Sequence, residues 1–148
     1  TIVVPCCNFW SEERLGRDEL VEAIASFYRQ HGVRYERIVL VHAVRRVAGL
    51  GCRERIDGLL ERHPGQLLFV PFVSREKAGF ALGGRIPEAI QDGRLEARAG
   101  LRLGPDQSTV MICGNSGMIG DTLKVLEERG LKRHRRRDPG HVITEKYH

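Results

Sequence analysis

The sequence predicts an α/β fold: a doubly wound, mostly parallel five-stranded sheet, Rossmann-like, with strand order 3-2-1-4-5. Three observations carry this. Short apolar runs alternate with amphipathic stretches along the whole chain. The runs are unbroken rather than alternating polar and apolar, as expected of strands buried on both faces. Turn-forming Gly and Pro residues separate the two kinds of segment, as in crossover connections of one hand.

The elements follow in order. "TIVVPC" (Thr1 to Cys6) is a β-branched run and the first strand. "SEERLGRDELVEAIASFYRQHG" (Ser11 to Gly32) has helical periodicity, with Leu20, Val21, Ile24, Phe27 and Tyr28 on one face. Ser11 or Asp18 can cap it and Gly32 stop it. "ERIVLVHAV" (Glu36 to Val44) is the second strand, and Arg45 to Gly65 reads as a second helix ending at Pro64-Gly65. "QLLFVPFVS" (Gln66 to Ser74) is the third strand. Gly84 to Gly93 is a short helix with Pro87 in its first turn. "STVMIC" (Ser108 to Cys113) is the fourth strand, Gly117 to Gly130 the last long helix, and Gly140 to His148 the fifth strand.

At 148 residues the chain suits one domain with its own core. Apolar residues are 41% and charged residues 29%, an ordinary globular balance without a membrane-length apolar run. Thr1 opens directly into an apolar run, as in a domain cut from a longer chain or an engineered start. No secretory signal is visible, so a cytoplasmic location with reduced thiols is expected. Cys6, Cys7, Cys52 and Cys113 form no C-x-x-C pair, and no zinc site is expected.

The net charge of +5 is concentrated near the end. Six Lys and Arg against two Asp and Glu fall between Leu131 and His148. A run such as Lys132 to Arg137 can meet an anionic partner or simply be a solvated turn and helix end. No aromatic residues interleave it, so nucleic acid is not the expected partner.

The stretch "CGNSG" (Cys113 to Gly117) stands where the fourth strand hands over to a helix. Glycines there let a ligand approach the backbone, and the helix start offers unpaired amide donors to a phosphate or carboxamide. A simple strand-to-helix turn would use the same residues.

Taken together, "YERIVLVHAVR" (Tyr35 to Arg45), "VPFVSRE" (Val70 to Glu76), "GRIPEAIQDGRLE" (Gly84 to Glu96), "VMICGNSGMIGDT" (Val110 to Thr122) and "LKRHRRRDPGHVITEKY" (Leu131 to Tyr147) resemble, in this order, the NADP-binding domain of bacterial ferredoxin/flavodoxin–NADP⁺ reductases. The resemblance covers residues 35–148. It implies NADP as cofactor, with Ser74 and Arg75 at the 2′-phosphate and Arg85 as a further phosphate contact. It sets Cys113, Gly114 and Asn115 toward the nicotinamide and pyrophosphate, and Tyr147 toward a flavin. Partners implied are an FAD-binding domain and ferredoxin or flavodoxin. Nothing in the 148 residues resembles the flavin-binding barrel, so FAD is not expected on this chain alone, nor activity without it.

Residues 1–34 depart from that family. Its first strand ends in a glycine-rich turn, where this chain has "PCCNFWSEERLG", with no glycine before Gly16. Pro5, Cys6 and Cys7 are expected to crowd the pyrophosphate, with Phe9, Trp10, Glu12 and Glu13 close behind. Ser116 and Gly120 stand where the family often has proline and a phosphate-directed arginine. The segment resembles the later half of a class I S-adenosylmethionine-dependent methyltransferase, which implies a chimera joined near Val33 to Arg37. A chimeric or designed Rossmann-like domain without catalytic activity is therefore the alternative function.

Overall fold

A computed structural model describes residues 2–7, 37–50, 53–62 and 64–146. The elements in chain order are β1 (Ile2–Cys7), β2 (Ile38–Val44), α1 (Arg53–Arg62), β3 (Leu67–Val73), β4 (Leu82–Gly83), α2 (Ile86–Gln91), α3 (Arg94–Ala99), β5 (Thr109–Gly114), α4 (Ser116–Glu128) and β6 (Val142–Lys146). The helix expected over Ser11 to Gly32, the junction near Val33 to Arg37, Cys52 and Tyr147 lie wholly or mostly outside the described residues.

The strands form one six-stranded sheet in the order β4-β3-β2-β1-β5-β6. Every pairing is parallel, with Ile2 against both Ile38 and Thr109, Ile38 against Leu67, and Val110 against Val142. The expected count of five is one short. The addition is β4, whose two residues pair with Phe72 and Val73 at the sheet edge. Two residues show no periodicity, so this strand is made by its neighbour rather than by its own sequence.

The apolar runs explain the burial. Val39, Leu40 and Val41 are consecutive and all essentially inaccessible, so both faces of β2 are covered. Val70, Phe72, Val110 and Ile112 continue the core through β3 and β5, and Ile86, Ile90 and Leu95 pack onto it from α2 and α3. Of the two prolines within strands, Pro71 lies on β3 just before the part that β4 covers, where the edge is open, whereas Pro5 stands on β1, in the middle of the sheet.

Two helices differ from expectation. The second is described over Arg53–Arg62, and the residues after β2 make a single 3-10 turn, Val47–Gly49, rather than continuing it back to Arg45. Glu76 explains it: its Oε1 accepts from the backbone N–H of Val47, pinning this turn to the loop after β3. The unexpected α3 is a six-residue helix bounded by Gly93 (φ 84°) and Gly100 (φ 64°), conformations that glycine adopts without strain.

α4 is the best-specified helix. Asn115 caps it, its Oδ1 accepting from the N–H of Met118 at 2.9 Å. Met118, Ile119, Thr122, Val125 and Leu126 form its buried stripe. Gly130 at φ 82° ends it, with Leu131 N–H donating to the Leu126 carbonyl and Gly130 N–H to that of Glu127.

The chain then turns at the amino-terminal edge of the sheet before entering β6. This turn is tied internally. Lys132 Nζ meets Asp138 at 2.5 Å, Arg133 donates to Thr144 Oγ1 at 3.0 Å, and Arg135 and Asp138 exchange backbone hydrogen bonds. A Cβ on Gly140 would lie 2.5 Å from the Lys132 carbonyl oxygen, so the strands of this turn close only over a glycine.

Candidate functional site

All strands run the same way, so the ends of β2, β3 and β5 open on one side, where ligands sit in open α/β sheets. A crevice of about 240 Å³ lies there, lined by Arg45, Ser74, Arg85, Asn115, Gly117 and Met118 among others. Three residues singled out from the sequence, Ser74, Arg85 and Asn115, thus come together around one opening.

Each is placed by its element. Ser74 follows the last residue of β3, and its N–H donates to the Val44 carbonyl at 3.1 Å, carrying the β2–β3 ladder one step past the strands. Arg75 N–H donates to the Arg45 carbonyl at 2.8 Å. Arg75 itself is exposed beside the crevice and not part of its lining. Arg85 is the N-cap residue of α2 in extended conformation, just after Gly84 at φ 75°. Its presentation is braced by Arg94, which donates to the Gly83 carbonyl at 2.8 Å and pairs with Asp92 at 2.8 Å. Those hydrogen bonds hold the Asp92 carboxyl below its usual range. Arg85 Nη2 lies 2.8 Å from Asp121 Oδ2 on α4.

Cys113 and Gly114 close β5, one residue further than expected, and both are buried. Asn115 uses its side-chain oxygen as the helix cap, so what it offers a ligand besides is its amide nitrogen. The first amides of α4 open on the same crevice, which Gly117 lines.

The first strand runs one residue further than expected, so Cys7 joins Pro5 and Cys6 in the strand rather than starting the turn. β1 runs through Cys7, with Pro5 against Val41, Cys6 against His42 and Cys7 against Ala43. The turn itself, with Phe9, Trp10, Glu12 and Glu13, lies outside the described residues. Two site residues were missed from the sequence. Arg45 lines the crevice, and Glu76 holds the 3-10 turn beside it, also facing Arg46 at 3.9 Å. An Arg directly after a strand was the available signal for the first; the second depends on a tertiary contact.

His42, two residues before the end of β2, is buried, and burial lowers its pKa to about 4. A larger recess of about 880 Å³ lies at the opposite end of the sheet, between α3, the 100–107 loop and Arg129. It contains none of the predicted site residues, and its Glu96 and Arg129 side chains are spent on each other and on backbone groups of Leu103 and Ile90. The carboxyl-end crevice is therefore the candidate site. Among the described residues no group of three His, Cys, Asp or Glu could hold a metal ion, and no helix is long and apolar enough to cross a membrane.

A parallel sheet with such a crevice, rimmed by guanidinium groups and helix amides, defines a nucleotide-binding domain of the doubly wound class. The chain belongs to the oxidoreductase NAD-binding domain family, whose sequence model matches residues 19–124. Relatives named flavodoxin/ferredoxin–NADP reductase carry the same resemblance as the motifs. One from Buchnera aphidicola is 35% identical over 121 residues, covering 81% of this chain and 49% of the relative. One from Escherichia coli is 43% identical over 89 residues, covering 60% and 36%. A solved ferredoxin NADP⁺ reductase from Neisseria gonorrhoeae, with bound FAD and NADP, superposes with a TM-score of 0.78 at 28% identity, covering 98% of this chain and 55% of that one. The chain thus spans about half the length, or less, of these curated relatives.

Proposed function

We propose that the chain is the NADP(H)-binding part of a flavin-dependent ferredoxin/flavodoxin–NADP⁺ reductase. The observation that carries this reading is the gathering of Ser74, Arg85 and Asn115, with Arg45, around one crevice at the carboxyl ends of the strands. The relatives and their printed names support it.

The donor set suits the cofactor. Guanidinium groups and a hydroxyl suit a phosphate ester, the first forking onto its oxygens and the second adding a hydrogen bond. About 240 Å³ is below the ~300–1,000 Å³ of typical small-molecule sites, so the crevice takes one end of a dinucleotide. In this reading Ser74, Arg75, Arg85 and Arg45 bind the 2′-phosphate end, and the amides of α4 face the pyrophosphate. Cys113 and Gly114 border the nicotinamide, and Tyr147 stands toward the flavin. NADPH, when bound, supplies the hydride. The chain's residues fix its orientation and charge environment; an FAD-binding domain is the acceptor side, and ferredoxin or flavodoxin the electron partner.

Calorimetric titration with NADP⁺ and NAD⁺ tests the reading. A clear preference for NADP⁺ is expected. No binding of either at millimolar concentration would overturn it and favour the alternative, a joined Rossmann-like domain without catalytic activity. Dye reduction with NADPH is a second test: these 148 residues alone are expected to show no turnover, with or without added FAD.

A further inference from the structure

Asp121 lies one helical turn after Gly117 on α4, on the helix face that borders the crevice. Its Oδ2 accepts from Arg85 Nη2 at 2.8 Å, and each side chain is 55% exposed. The contact is single, so the carboxylate takes one donor of five and sets a negative charge beside whatever else Arg85 binds. An exposed pair of this kind is weak, and salt screens it. A phosphate ester carrying two charges makes several charge-assisted hydrogen bonds to a guanidinium and outcompetes one carboxylate. A ribose hydroxyl, uncharged, does not.

We propose that Asp121 is a built-in competitor for the 2′-phosphate: it occupies Arg85 while the nucleotide is away and yields it on binding. Asp121 thereby weakens binding of the phosphorylated cofactor without touching that of the unphosphorylated one, and keeps NADP(H) exchangeable. The inference rests on the proposed role of Arg85 as a phosphate contact. It makes Asp121 a specificity-determining residue that touches no nucleotide.

Binding of adenosine 2′,5′-bisphosphate and of 5′-AMP to the full chain tests it, in the wild type, Asp121→Asn, Arg85→Ala and the double variant. Circular dichroism confirms that each is folded. Asp121→Asn is expected to tighten the bisphosphate about two- to fivefold, as suits an exposed pair, and to leave 5′-AMP unchanged. In the Arg85→Ala background the same substitution is expected to have no effect. Weaker or unchanged bisphosphate binding in Asp121→Asn would overturn the competition and leave Asp121 as a residue that orients Arg85. A gain that persists without Arg85 would overturn it in favour of a long-range charge effect. If Arg85→Ala alone leaves the bisphosphate affinity unchanged, the phosphate role of Arg85 fails, and the proposal with it.

Discussion

The two ends of the sheet carry positive charge in opposite ways. At the amino-terminal edge the charge is dense in sequence, from Lys132 to Arg137, and much of that turn is closed on itself by Asp138, Thr144 and backbone hydrogen bonds. At the carboxyl edge the charge is sparse in sequence. Arg45, Arg75 and Arg85 come from three separate loops and meet near one crevice. Among the described residues neither Arg45 nor Arg75 has an ion-pair partner. Charge density along a chain thus says little about where an anion binds; the topology that collects strand ends does.

Acid should separate the two ends by pH. His42 stands near the crevice end with its folded-state pKa at about 4, below the ordinary 6.5. The unfolded chain therefore takes up a proton from about pH 6.5 downward that the native chain refuses until about pH 4. Stability is full above that window and falls as pH drops through it, by about 3 kcal/mol, and His42→Gln should abolish this slope in urea titrations. Next in size, Arg75→Ala should weaken NADP⁺ by about 1.5–3 kcal/mol and NAD⁺ far less, whereas Arg136→Ser with Arg137→Ser should change neither. Equal loss for both cofactors would sink the 2′-phosphate assignment. Asn115→Ala should cost about 1 kcal/mol of stability through the lost cap of α4, read from the thermal midpoint.

The smallest effect belongs to the amino edge. The hydrogen bond from Lys132 holds the Asp138 carboxyl below its usual range. Its folded pKa is depressed, so its contribution is present above about pH 4 and lost as pH falls further. Asp138→Asn should remove only this low-pH component, outside the His42 window. An acid response confined to one window would break the comparison.

Much of this architecture was legible because the strands are written as unbroken apolar runs, such as "IVLVHAV" and "LLFVPFV". Their ends were read within one or two residues. What was illegible has local causes. β4 is too short to carry a pattern, and Val47–Gly49 is held by Glu76 rather than by its own propensity. α3 is bracketed by Gly93 and Gly100, a signal present in the sequence, but its six residues are too few to show a helical period of their own. Ser74, Arg85 and Asn115, which line the crevice, stand in motifs that the sequence displays. Arg45 needed the fold, because its place beside Ser74 arises from strand pairing between segments thirty residues apart.

The position of β1 has a consequence for how the chain folds. β1 with β2, β2 with β3, and β5 with β6 join segments of similar, modest separation in sequence, so each group can form early. β1 joins the two groups, and Ile2 must meet both Ile38 and Thr109. The second pairing closes a very long loop, whose entropy must be met before its contacts reward it. The two half-sheets are thus expected to assemble first, with the docking of β1 against β5 as the slow step. Placing residues 2–7 next to β5 by circular permutation should speed refolding more than it changes stability.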